Sequence, residues 1–103
     1  MRMTAQQAET IRLFAHRHFG EDAEVWLFGS RADDKKKGGD YDFLVETSLD
    51  HPDIIIEHKI TMIAELQSTS SFEDEKIDLI VKRRNSSFDM PIYGVAKKQG
   101  VRL

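Results

Sequence analysis

Three short β-prone runs, residues 24–28, 40–46 and 76–81, constrain the fold most, because a turn-sized stretch separates the first two and a helix-sized stretch the last two. Strands that follow each other so closely pair as antiparallel neighbours, whereas a longer helical crossover suits a third strand laid elsewhere in the same sheet. The first run, Glu24-Val25-Trp26-Leu27-Phe28, is aromatic and ends abruptly at Gly29-Ser30, which reads as a buried strand entering a tight turn. Residues 31–39 are polar, contain Lys35-Lys36-Lys37 and finish with Gly38-Gly39, so a loop or a single helical turn is expected there.

Helical periodicity fills the intervals. Thr4 followed by Gln7 is a capping-box pattern, and Ile11, Phe14, Ala15 and Phe19 then recur at helical spacing until Gly20. Start signals at residues 49–53 open a second helix, with Ile56, Ile60, Ile63 and Leu66 as its expected apolar stripe and Ser68-Thr69-Ser70-Ser71 as its end. A last short helix is expected from near Pro91 to Gly100, lined by Phe88, Ile92, Ala96 and Tyr93. This order predicts an α+β fold, a small mixed β-sheet with helices packed on it, as one domain over residues 1–103.

Composition removes several function classes. With no cysteine there is no disulfide framework, thiolate metal site or thiol nucleophile. A formal charge of -3 lacks the positive field that drives non-specific nucleic-acid binding, so a nucleic-acid partner is not expected. No apolar run approaches signal-peptide or membrane-span length, and the chain is expected in the cytoplasm with no membrane partner. The clusters Lys82-Arg83-Arg84 and Lys97-Lys98 read as solvated faces. Lys35-Lys36-Lys37 has a second reading, contact with phosphates or an acceptor, because it lies between the turn and the next strand.

The informative constellation is Phe28-Gly29-Ser30, a nine-residue spacer, Asp40-Tyr41-Asp42-Phe43, and Asp78 inside the apolar third run. Strand alternation puts Asp40 and Asp42 on one side and Tyr41 and Phe43 on the other. Neighbouring strands lie about 4.8 Å apart, so Asp78 reaches the same volume if its strand adjoins the second. Gathered carboxylates call for a hard cation, magnesium or manganese, and three of them suit a two-metal clamp for in-line displacement at phosphorus. Gly29 lets a backbone approach a phosphate, Ser30 can donate to it, and Arg31 adds a positive fork.

This pattern resembles the signature of the nucleotidyltransferase superfamily of DNA polymerase beta type, over residues 25–81. Chain length and the end of the chain, residues 88–103, are similar to the minimal nucleotidyltransferases that pair with HEPN-domain proteins. The resemblance implies a polymerase beta-like nucleotidyltransferase fold with Asp40, Asp42 and Asp78 as catalytic and metal-binding residues and Gly29, Ser30 and Arg31 as nucleotide-binding ones. It also implies two magnesium ions, with Asp78 activating the acceptor hydroxyl. In this chain Ala32-Asp33-Asp34 follows the Gly-Ser-Arg, where many relatives place a small residue and a further arginine or glycine.

The remaining marked residues have plainer readings. Trp26, Phe28 and Tyr41 are expected in the core, and the four histidines in structural roles. Ile77, Leu79, Ile80 and Val81 around Asp78 argue against a merely solvated strand aspartate. The function expected is magnesium-dependent transfer of a nucleoside monophosphate, AMP from ATP, to an acceptor hydroxyl. By resemblance, the acceptor sits on a HEPN-type toxin and this chain is its antitoxin. Two alternatives stand beside it: a catalytically silent antitoxin that works by docking, and an enzyme acting on a small alcohol such as an aminoglycoside, as a homodimer that forms the pocket between chains.

Overall fold

Thr4 and Gln7 do cap the first helix reciprocally: the Gln7 amide donates to Thr4 Oγ1 at 3.0 Å, and the Thr4 amide to Gln7 Oε1 at 2.9 Å. The computed structural model describes all of residues 1–103. Helix α1 is Ala5–Phe19, strand β1 Glu24–Phe28, and a 3-10 turn Gly29–Ala32 follows directly. Next come β2 (Tyr41–Thr47), α2 (Pro52–Gln67), β3 (Ile77–Arg83), α3 (Pro91–Gln99) and β4 (Val101–Arg102). The expected α+β class and mixed sheet are found.

The sheet runs β3-β2-β1-β4, with β2 antiparallel to β1 and parallel to β3, while β4 pairs antiparallel with β1. Parallel pairing of β2 and β3 needs the crossover that α2 supplies. Alternation then sorts the side chains. Val25, Leu27, Tyr41, Phe43, Val45, Ile77 and Leu79 pack against α1 and α2, and Trp26, Phe28 and Leu44 against Tyr93 and Ala96 of α3. Helices α1 and α2 thus share one face of the sheet, and α3 partly covers the other.

Two expectations about helix faces are corrected. In α2 the buried residues are Ile55, Met62 and Leu66, whereas Ile56 and Ile60 are 56% and 64% exposed. Apolar residues crowd the first turns of this helix on every side, from Ile54 to Ile60, so periodicity could not single out the face that packs. Phe88, expected on the last helix, precedes α3 and is exposed. Strand β4 was not expected at all, since two residues carry no periodic signal.

A polar contact joins the helical layer. His18 of α1 is buried, and its Nδ1 lies 2.9 Å from Nδ1 of His58 on α2, one ring donating to the other. Glu65 stands 3.0 Å from His18 Nε2, at an angle that leaves this buried nitrogen without a formed hydrogen bond. Replacing His58 by leucine removes the remaining partner, which is expected to cost about 1–3 kcal/mol. A shift of the urea midpoint to lower concentration, with the slope unchanged, is the expected result.

Candidate active site

Gly29 directly follows the C-terminal end of β1, an interior strand beside β2, and its φ of +71° suits a residue without a side chain. A second constraint acts at the same position. A Cβ on Gly29 would collide with the Asp42 carboxylate, so this glycine is what lets the turn and the aspartate lie against each other. Gly39, at φ +94°, stands in the same relation to Ser30: a Cβ there would run into the Ser30 hydroxyl. The sequence marked Gly39 only as the end of a loop, and nothing along the chain could reveal that it packs on Ser30.

The loop between these glycines is held from the chain's beginning. Arg2 Nη2 donates to the carbonyls of Ser30 at 3.0 Å and Gly38 at 2.7 Å, and its Nε donates to that of Asp33 at 3.2 Å. Arg2 was missed by sequence reasoning, being a single charged residue in a region without pattern. The Asp33 carboxylate caps its own loop by accepting from the Lys35 amide at 2.9 Å.

Asp42 sits opposite Phe28 of β1 and opposite Asp78 of β3, so Asp42 and Asp78 project side by side from the face that α3 only partly covers. Asp40 immediately precedes β2. Burial raises the Asp42 carboxyl above the usual carboxylate range, and the charges of Asp78 and Asp40 push it the same way. Asp78 is exposed, contrary to the expectation drawn from its apolar flanks. Ile77 and Leu79 face the α1–α2 layer, so their burial says nothing about the side chain between them, which lies on an edge strand.

The three aspartates share a region but do not close on one point: no group of three or more acidic or imidazole side chains is gathered tightly enough to hold an ion as it stands. Mutual repulsion has that effect, and Lys76 Nζ, 3.6 Å from Asp40 Oδ2, draws one carboxylate aside. The donors themselves fit a hard divalent cation, with carboxylate oxygens from three aspartates and the missing side chain at Gly29 letting the Asp42 carboxylate lie directly against the turn. Arg31 does not join them. Its guanidinium stacks 4.3 Å over the Tyr41 ring, on the side of β2 away from Asp42, and its Nε donates to the Gly39 carbonyl at 3.1 Å.

Further along the same face lies Glu46, a buried acid that the sequence reading passed over. Arg84 Nε reaches it at 3.2 Å, Lys82 approaches to 3.8 Å and Lys97 makes a close ion pair. Burial works to raise the Glu46 carboxyl, but the hydrogen bonds from Lys97 and Arg84 outweigh it and hold the group below its ordinary value. One face thus carries two acidic positions of opposite character. Glu46 is neutralised by three cations, while Asp42, Asp78 and Asp40 have Lys76 alone.

This difference fixes the sign of two pH effects. Asp42 binds its proton more tightly in the folded chain than in the unfolded one, so the stability tied to it is complete below the ordinary carboxylate range and falls as pH rises through its elevated value. Glu46 acts in reverse, contributing at neutral pH and losing that contribution as pH falls through its depressed value. Without divalent metal at pH 7, Asp42→Asn is expected to raise the melting temperature by about one or two degrees, the group being half-buried and so partly screened by solvent. Glu46→Gln is expected to lower it. Thermal melts repeated in strong acid should bring each variant back toward the parent.

No curated protein and no solved structure matches the chain. The sequence profile of one family, described as a nucleotidyltransferase domain, matches residues 8–94. That span takes in the Gly29-Ser30 turn and all three aspartates, and no helix of the chain is long and apolar enough to cross a membrane. The four-stranded mixed sheet with three helices is consistent with a nucleotidyltransferase fold, and the chain belongs to the nucleotidyltransferase domain family.

Proposed function

We propose that the chain transfers AMP from ATP to an acceptor hydroxyl in the presence of magnesium, and that Asp40, Asp42 and Asp78 carry the reaction. The observation that supports this most is the surplus of negative charge on one open face beside the Gly29-Ser30 turn, set against the neutralised Glu46 on the same face. Two bound magnesium ions would supply charge neutralisation for the attacking and leaving oxygens of an in-line displacement. Asp40 and Asp42 are the residues to hold them, with Asp78 completing the set.

The chain's own groups then have separate tasks. Gly29 admits the triphosphate close to the backbone, and the Ser30 hydroxyl and neighbouring amides donate to its oxygens. Asp78, open to solvent at the sheet edge, is placed to meet an incoming acceptor and take the proton of its hydroxyl. Arg31 holds the turn in shape through Gly39 and Tyr41, a positioning part in place of the direct phosphate contact that the motif implied.

For the acceptor, the resemblance to minimal nucleotidyltransferases favours a tyrosine hydroxyl on a HEPN-type partner, with this chain as the antitoxin. Exposed Ile56, Ile60 and Phe88 offer apolar surface for such a partner. The same surface, together with aspartates that stand apart, favours the second reading, an antitoxin that neutralises by docking alone. Labelled ATP, magnesium and a candidate HEPN acceptor separate the two. Asp42→Ala is expected to reduce label transfer at least about a hundredfold, the scale of losing a main electrostatic contributor. Equal transfer by parent and variant removes Asp42 from the mechanism, and partner neutralisation without any labelling by the parent supports docking.

A further inference from the structure

Between the 3-10 turn and α3 lies an open cleft of about 630 Å³, within the range of small-molecule sites. Gly29, the residue that touches the Asp42 position, forms part of its wall. Phe28 and, from one face of α3, Ile92 and Val95 make an apolar side, while the loop side carries Lys35 and Lys36 beside Asp33 and Asp34, whose carboxylates accept from the Lys35 amide and the N-terminal amine. Gln99, one turn beyond Val95, closes the end with an exposed carboxamide. Lysine ion pairs of the chain engage Lys76, Lys82 and Lys97, but not Lys35 or Lys36.

A ligand matched to this cleft has a flat apolar body, an edge that both donates and accepts hydrogen bonds, and an anionic tail. A nucleotide has all three. Resting on the nucleotidyl-transfer reading, we infer that the nucleobase lies in this cleft against Phe28, Ile92 and Val95, with Gln99 selecting adenine. The carboxamide both donates and accepts, matching the adenine amino group and adjacent ring nitrogen, whereas guanine offers two acceptors on the corresponding edge. Lys35 and Lys36 then lie along the phosphate chain as it runs toward the Gly29-Ser30 turn. This gives the lysine run a task and places base selection on α3, a helix whose other face, through Tyr93 and Ala96, packs on the sheet.

The test is equilibrium binding of the α,β-methylene analogues of ATP and GTP, and of inorganic tripolyphosphate, with magnesium present. The parent is expected to prefer the ATP analogue by roughly ten- to a hundredfold, the range for one bidentate amide–adenine pair. Gln99→Leu should erase that preference by weakening the ATP analogue alone. The pair Lys35→Ala and Lys36→Ala should weaken both analogues and tripolyphosphate alike. Gln99 is exposed at the end of its helix, and an unchanged melting temperature verifies that the variant folds. Equal affinity of the parent for both analogues, or a preference that survives in Gln99→Leu, overturns the base assignment while leaving nucleotide binding intact. Failure of the parent to bind either analogue or tripolyphosphate overturns the nucleotidyl-transfer reading, and this inference with it.

Discussion

Parallel pairing of β2 with β3 sets Asp42 directly beside Asp78, and the electrostatic consequence of that register governs the rest of the site. Two acids on adjacent strands cannot both ionise cheaply, and Asp42, the more enclosed, bears the cost. A chain stabilised only for its own sake would neutralise such a pair, as this one does a few residues further along β2. There Glu46 receives Arg84, Lys82 and Lys97. At Asp42 the neutralising charge is left to come from outside.

The turn after β1 is shaped to the same end. Gly29 is excluded from bearing a side chain both by its backbone angle and by the Asp42 carboxylate, and Gly39 is similarly fixed by Ser30. The Gly29-Ser30 turn and the acidic strand are therefore one packed unit. Arg2 and Arg31 fasten the loop that joins them through backbone carbonyls, so their charges serve the scaffold. Meanwhile α1 and α2 bury the opposite face of the sheet, which leaves the aspartate face to α3 and to solvent.

Much of this was legible in the sequence because the relevant signals are local. The capping box at Thr4, the strand stopping at Gly29, and the alternation that places Asp42 opposite in direction to Tyr41 and Phe43 each need only a few neighbouring residues. What the sequence concealed depends on distant contacts. The buried face of α2 was misread because isoleucines surround its first turns, and Asp78 looked buried because its neighbours are. Arg31 stacking on Tyr41, Gly39 beneath Ser30 and the cations around Glu46 all join segments far apart in the chain, where no spacing rule applies.

Divalent cations are expected to enter at the start of β2 and β3, where Asp42 and Asp78 leave the charge unbalanced. Amide resonances of the ¹⁵N-labelled protein, followed during addition of trace manganese, test it directly, since paramagnetic broadening registers even weak binding at its location. The signals of Gly29, Asp42 and Asp78 are expected to broaden first, and Asp42→Asn is expected to abolish the effect. Broadening that begins elsewhere, or that persists undiminished in Asp42→Asn, would contradict it.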